Sequence, residues 1–521
     1  MERNLNERTA EAAPTDRATG REWAGLALLV LPMLMLSTDL TVLFFALPTL
    51  SADLNPTAPQ TLWIVHVYGF LIAGFLVTMG RLGDRFGPRR LLLTGSVIFT
   101  ALSAVAAFSV SAEMLIAVRA LMGIAGATLM PSLFSLLRVM FRDDGQRRLA
   151  IAIMFSAFSV GGAVGPLLGG ALLEFFWWGS VFLVNVPPML LFLLVGARLL
   201  PERSERTRTG IDGASVALSV VGMLAVVYGL QELAAGQQAG TGSAWTNLAV
   251  VAGGLAVLAA FVRRQRRLPD PLFDLALLAN RRMAVSLATL LIVGVGVVGT
   301  FYLFTQHLQW VAGLSPLEAG LWTLPFVAVN IAGAMLAPTL AARMPATTII
   351  LGGLVIAALG AVLVAAGTGA GAPLVAAISV IGFGHGVAIA LVSDSIISSA
   401  PPEQTGSAAA AQEVGGELGT ALGVAAGGAI GTLVYRVSLP GAMPPEVPET
   451  AVESAGSSVH EGIATAERFA AHSPAFLDAV HDAVARGLQA YAGVSSILVT
   501  GAAALVAVAL VLRRPRSPQD R

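Results

Sequence analysis

The sequence predicts an all-α polytopic membrane protein with fourteen membrane-spanning helices, and three observations predict it. Of the 521 residues, 56% are hydrophobic and only 12% are charged, more apolar surface than a soluble chain of this length can bury. The apolar residues fall into runs of about 20, the length of helix that crosses a bilayer core. The arginines collect in alternate connections between those runs, the distribution that marks cytoplasmic loops.

Residues 1–22 are polar and mixed in charge, and are expected to form a short disordered tail. The first apolar run continues to about Leu50, too long for a signal-peptide core, and no small-residue cleavage site follows it. Spans are expected near 24–49, 61–80, 90–109, 113–137, 149–173, 179–200 and 211–233. The remaining seven are expected near 244–262, 283–309, 317–342, 346–368, 372–398, 406–435 and 489–512. An even number of spans puts both ends on one side. Alternate connections hold Arg81, Arg85, Arg89 and Arg90; Arg138, Arg142, Arg147 and Arg148; Arg198, Arg203, Arg206 and Arg208; and Arg263, Arg264, Arg266, Arg267, Arg281 and Arg282. The short loops 51–60, 174–178 and 369–372 hold none, which places both termini in the cytoplasm. The one long outer connection, 436–489, carries five more acids than arginines between Pro440 and Tyr491. Helical periodicity over 461–469 and 475–488 leaves two readings of it: a solvated hairpin, or a cap over a pathway mouth.

Composition excludes several functions. A balanced formal charge points away from nucleic acid. Without cysteine there is no disulfide, thiol chemistry or thiolate metal site. All 31 basic residues are arginine, so neither a P-loop nor a Schiff-base lysine exists. The chain is expected to be no enzyme, to need no cofactor or metal, and to draw its work from something other than ATP.

Charges inside spans are costly in hydrocarbon and mark function. Asp39 lies midway along the first span, Arg119 in the fourth and Asp394 late in the twelfth. Glu413 and Glu417 stand one helical turn apart in the thirteenth, on one face. Two carboxylates so close in a poorly hydrated place resist ionising together and titrate as a unit, which a proton-coupling site requires. Asp39 and Arg119 also admit a plainer role, an ion pair that fastens two helices. Asp394 lies close enough to Pro401 and Pro402 to be hydrated from an inner loop. His307 and His385 read as polar packing residues.

In the fifth span, Gly161, Gly162, Gly165, Pro166, Gly169 and Gly170 combine small residues at four-residue spacing with a helix-bending proline. A smooth, bent helix of this kind offers a rocking surface between two halves. Between the second and third spans, Gly80, Arg81, Leu82, Gly83, Asp84, Arg85, Phe86, Gly87, Pro88, Arg89 and Arg90 interleave an acid and glycines among arginines. Gly83 and Gly87 are expected to permit a tight turn, and Asp84 to act as a latch on arginines or a helix N-terminus across the inner surface.

These elements together resemble the fourteen-span drug:proton antiporters of the major facilitator superfamily, of the QacA/SmvA/LfrA multidrug-exporter type. The resemblance runs from about Trp23 to Arg513. It rests on Asp39, on Trp63 to Tyr68, on the Gly80–Arg90 loop, on Arg119 with Gly123 and Gly126, and on the fifth-span glycine-proline motif. Leu314 to Pro325, Gly406 to Gly419 and the long outer loop complete it. It implies an antiporter exporting hydrophobic, cationic drugs or antibiotics in exchange for protons. A dedicated exporter of one endogenous metabolite uses the same scaffold, and uptake by proton symport is a further alternative. The implied fold is two six-helix bundles, 23–200 and 283–513, with two helices inserted over 201–282 and a cytoplasmic tail at 514–521. Asp39, Arg119, Glu413 and Glu417 match family positions tied to proton coupling, and Asp394, as a charge within a span, and His66, which could itself titrate, are further proton-coupling candidates. Asp39, Glu413, Glu417, Asn330, Trp63 and Tyr68 are the implied substrate-binding ones. Where His66, Asn330 and Gln412 stand, relatives of this type often carry acids. The expected partners are protons, small lipophilic cations and membrane lipid, and the expected setting is the bacterial cytoplasmic membrane, as a monomer.

Overall fold

A computed structural model of the protein describes residues 17–56, 58–202, 212–239, 244–269, 271–367, 371–401, 404–440, 459–469 and 474–511, with 447–448, 451–452 and 455–456 between them. The side chains of His66 and Pro166, and the tails 1–16 and 512–521, lie outside the described residues. Lipid offers the backbone no hydrogen-bond partners, so a chain this apolar must satisfy its amides within helices. Among the described residues there is no strand.

The elements are α1 (Gly20–Leu54), α2 (Ala58–Phe86), α3 (Pro88–Ala107), α4 (Ala112–Gly126), α5 (Leu129–Met140), α6 (Asp144–Phe175), α7 (Ser180–Leu183) and α8 (Val186–Leu199). They continue as α9 (Gly213–Ala239), α10 (Ala244–Gln265), α11 (Arg281–Trp310), α12 (Pro316–Ala341), α13 (Ala346–Ala365), α14 (Ala372–Ser399), α15 (Thr405–Ser438), α16 (Val459–Phe469) and α17 (Pro474–Val506). A 3-10 turn, Leu275–Ala279, precedes α11, and a π turn, Ala507–Val511, follows α17. Among the described residues these helices make fourteen segments long and apolar enough to cross a membrane, two of them, Ala112–Met140 and Ser180–Leu199, from a pair of helices each.

Two spans differ from single helices. The fourth is α4 followed by α5, interrupted at Ala127 and Thr128, where the Thr128 hydroxyl donates to the Ala125 carbonyl at 2.7 Å. The sixth begins with the one-turn α7 and restarts at α8, whose first turn holds prolines that need no intrahelical N–H partner. Side-chain caps start other spans: Asp143 accepts from the Gln146 N–H, Asn280 from Arg282 and Met283, and Ser315 with Glu318 forms a capping box.

The turn between α2 and α3 is a single residue, Gly87, at φ 93°, and Pro88 opens α3 as its first residue. Gly83 lies inside α2 instead, because α2 stays helical to Phe86; the expectation that both glycines shape the turn holds for Gly87 alone.

Packing gathers into two large apolar clusters. One draws on residues from Leu26 to Leu200 with Ile397 and Ala409, the other on residues from Phe261 to Val506 with Ala152. They meet along α2 with α15 and α6 with α12. Of the intervening hairpin, α9 packs on α2 and α15, while α10 packs chiefly on α9. A third cluster, around Tyr435, Leu439, Ala455, Ile463 and Phe476, gives the long connection its own small core. The stretch 475–488 is not a separate helix, since α17 runs unbroken from Pro474 through the last span to Val506.

Candidate transport site

The first group of charges lies within the 26–200 cluster. Asp39 on α1 and Arg119 on α4 are both fully buried. Asp39 Oδ1 accepts from Asn185 Nδ2 at 2.9 Å, and the same amide reaches Ser103 Oγ at 3.2 Å. Asp39 Oδ2 faces Arg119 Nη1 at 3.6 Å, beyond a hydrogen bond, and neither atom has a hydrogen-bond partner among the described residues. Arg119 is held by other means: its Nε donates to the Ile64 carbonyl at 2.6 Å, and its guanidinium lies 5.1 Å from the Tyr68 ring centroid and 5.7 Å from that of Phe182. The result is a buried ion pair with one carboxylate oxygen to spare. Tyr68 is therefore a wall of this charge cluster, fully buried, rather than an open substrate contact. Trp63 is 45% exposed and stacks on Tyr228 of α9, with ring centroids 6.0 Å apart.

The second group is on α15, where Glu413 and Glu417 remain partly exposed. Gln412 beside them turns away to accept from Ser393 Oγ at 2.5 Å, and its amide touches Glu413 Oε1 at 3.4 Å. The next positions, Val414 and Leu418, pack on Phe70, Ala73 and Met223, so this stretch of α15 sits against α2 and α9. Asn330 does not join the carboxylates. Its amide donates to the Gly382 carbonyl at 3.0 Å and meets His385 Nδ1 at 2.9 Å, tying α12 to α14.

A third group closes the arginine-bearing ends of the helices. Asp84 accepts from Gly406 N–H at 3.0 Å, Ser407 N–H at 3.1 Å and Ser407 Oγ at 2.9 Å, so it caps the N-terminus of α15. Gly80 lets α2 approach that far, since a Cβ there would lie 2.7 Å from the Gly406 carbonyl oxygen. The loop's arginines go elsewhere. Arg90 reaches Glu202 at 2.6 Å, Arg89 meets Glu202 at 3.5 Å, and Arg85 lies over the Phe86 ring. Arg138 donates to the Ile397 carbonyl at 2.8 Å, at the end of α14. Asp394 takes Arg147 Nε at 3.0 Å and Arg148 Nε at 3.2 Å. Sequence reasoning set Asp394 among the proton-coupling acids; the structure gives it two guanidinium partners from the start of α6, which makes it a clasp.

The fifth-span glycines also differ from expectation. A Cβ at Gly161 would lie 2.5 Å from the Leu34 carbonyl oxygen, and one at Gly165 would overlap Thr41 Oγ1. Both glycines thus face α1 within the same cluster, and Ser37 Oγ and Thr38 Oγ1 donate to the α6 carbonyls of Phe158 and Gly161. They fasten α6 to α1 rather than smooth its contact with α12. Gly170 has open space around it, whereas a Cβ at Gly162 would press on Ser37 Oγ at 3.3 Å.

Asn185 and Ser103 escaped the sequence reading, which also gave Arg138, Arg147, Arg148 and Ser407 no partner. Asn185 carried a signal, an amide in the apolar sixth span just before two prolines.

The Major Facilitator Superfamily model matches residues 29–424. The chain belongs to the major facilitator superfamily. It is 42% identical over 401 residues to the multidrug efflux pump LfrA of Mycolicibacterium smegmatis, covering 77% of this chain and 79% of that one. It is 34% identical over 339 residues to the methyl viologen resistance protein SmvA of Salmonella typhimurium, covering 65% and 68%. The tetracenomycin C resistance and export protein of Streptomyces glaucescens is 31% identical over 406 residues, covering 77% and 74%. Among solved structures, the human organic anion transporter MFSD10 superposes with a TM-score of 0.56 over 92% of this chain and 99% of its own, at 16% identity, which speaks to the fold alone. Members of this superfamily are transporters rather than enzymes.

Proposed function

We propose that this chain is a proton-coupled efflux antiporter that exports hydrophobic, cationic drugs or antibiotics across the bacterial cytoplasmic membrane by alternating access. The observation that carries the proposal is the unsaturated Asp39–Arg119 pair, buried and 3.6 Å apart, with one carboxylate oxygen unoccupied. A proton on that oxygen cancels the negative charge and leaves Arg119 held only by Ile64 and two rings. The pair is therefore an element with two arrangements, biased by protonation. Glu413 and Glu417 supply negative charge along the contact of α15 with α2 and α9, where a lipophilic cation and a proton compete for the same carboxylates. Competition for shared acids is the simplest route to exchange.

In this reading residues 23–200 and 283–513 are the two rocking bundles and 201–282 an insertion. Both termini lie in the cytoplasm, and the chain works as a monomer. The contacts of Asp84, Arg138 and Asp394 close the cytoplasmic side and separate when the bundles swing about the midplane site. His66 stands near Ile64 and Tyr68 in sequence and is a candidate auxiliary proton carrier.

The test is ethidium transport in proteoliposomes under an imposed pH difference, comparing the wild type with Asp39→Asn and Glu413→Gln. Loss of pH-driven transport in both variants is expected. Undiminished, gradient-dependent transport in both would reject the coupling role. A second reading, a dedicated exporter of one compound, is favoured by the relative named for tetracenomycin C. Resistance to a single member of a dye and antibiotic panel, in an efflux-deficient host, would select it.

A further inference from the structure

Away from the buried charges, an apolar cleft of about 370 Å³ opens between α2, α9, α10, α11 and α15. Its walls include Val77, Met223, Phe261, Ala288 and Leu418, and its floor at the arginine-bearing end is Phe273, Leu275 and Leu278. Ser219 is the one polar residue in the lining among the described residues. Water needs two to four polar partners to occupy such a space, so water is a poor tenant here. On α15 the lining runs from Ala411 to Leu418, about 10 Å of helix. A cleft of that length takes part of one acyl chain.

The rim of the cleft is charged. Arg266 follows the lining residue Val262 by one turn, its N–H donating to the Val262 carbonyl at 3.2 Å. Arg263, Arg266 and Arg267 are exposed and, among the described residues, their guanidinium groups have no hydrogen-bond or ion-pair partner. Of the nearby acids, Asp270 lies outside the described residues, and Asp212 and Asp274 are engaged. Asp212 takes Arg264 at 2.6 and 2.9 Å, and these hydrogen bonds hold its carboxyl well below the usual range. Asp274 accepts from Ala276 N–H at 2.8 Å and Gln404 Nε2 at 3.2 Å. Among the described residues no acid lines the cleft.

We infer that this cleft is a binding site for an anionic phospholipid, one acyl chain lying between the α9–α10 hairpin and α11, with the phosphate among Arg263, Arg266 and Arg267. An exposed basic side chain at a membrane surface strengthens the hold on an anionic headgroup about fivefold. The chain in the cleft fills the space that would otherwise separate the hairpin from α11 and α15. The hairpin is then joined to the transporter partly through lipid.

The experiment uses the full chain in nanodiscs with phosphatidylglycerol bearing a photoreactive group in its tail, and the phosphatidylcholine with the same tail for comparison. Peptide mapping is expected to place phosphatidylglycerol label on α10, α11 and the 275–279 turn, about fivefold or more above phosphatidylcholine. Arg266→Gln and Arg267→Gln should each lower that label about fivefold while leaving label on the exposed Leu194 face unchanged. Ala288→Phe, which fills the cleft, should remove label from both lipids there. Should that variant fail to fold, the two exposed arginine variants decide alone. Equal labelling by the two lipids, indifference to both arginine variants, or displacement of the lipid by ethidium at this site would each overturn the inference.

Discussion

Asp84 and Ser407 lie 323 positions apart in the chain and are joined by two hydrogen bonds, one to the Ser407 N–H and one to its hydroxyl. A carboxylate that caps a helix from another part of the chain is a reversible fastening, strong while charged and easily parted by a swing of that helix. Hydrogen bonds to a charged group contribute about 1.5–3 kcal/mol each. Asp84→Ala should therefore favour the conformation open at the arginine-bearing end. The chain lacks cysteine, so spin labels at Arg142→Cys and Ala279→Cys carry no background. Their distance distribution should lengthen in the Asp84→Ala variant, and Ser407→Ala should show a smaller change of the same sign.

Removing one partner of a buried ion pair costs about 3–5 kcal/mol, because the other charge is left uncompensated. Asp39→Asn should lower the thermal midpoint in detergent as well as abolish pH-driven transport. Pairing it with Arg119→Gln, which removes the stranded charge, should restore much of the stability and none of the transport. Calorimetry and proteoliposome flux separate the two effects.

Asp394 divides its carboxylate between Arg147 and Arg148. Asp394→Asn should leave binding of ethidium within about twofold and alter the rate of interconversion, since no charge at the α15 acids changes. Fluorescence titration checks the first expectation and stopped-flow efflux the second. A large loss of affinity would return Asp394 to the binding site.

At Gly161 the backbone of α1 is too close for any side chain. Overpacking of this kind costs about 1–3 kcal/mol. Gly161→Leu should lower the thermal midpoint and yield of the purified protein, whereas Gly170→Ala, with open space around it, should be silent.

The fold was legible because the bilayer imposes length and apolarity on every crossing, and the arginines fix their alternation. The interruption at Ala127–Thr128 was not, since both residues suit a helix and the break depends on tertiary packing. Asp39, Arg119, Glu413 and Glu417 stood out as charges in hydrocarbon. Asn185 did not, because an amide costs less there and attracts less notice. The true partners of Asp394 and Asp84 depended on which helices meet across the two clusters, and no local spacing encodes that. The direction faced by Gly161 and Gly165 was hidden for the same reason: a small-residue repeat says that something approaches closely, but not what.

The 33 residues of α17 make a rod about 50 Å long, of which a bilayer core takes about 30 Å. The remainder exceeds that core and is bolted, through Phe476 and Val480, to the knob around Tyr435 and Ile463. Any tilt of the final crossing must therefore be copied, magnified by leverage, at the tip. An antibody fragment gripping that tip would give particle images a fiducial on an otherwise smooth molecule, and by immobilising it would stall the cycle from a distance.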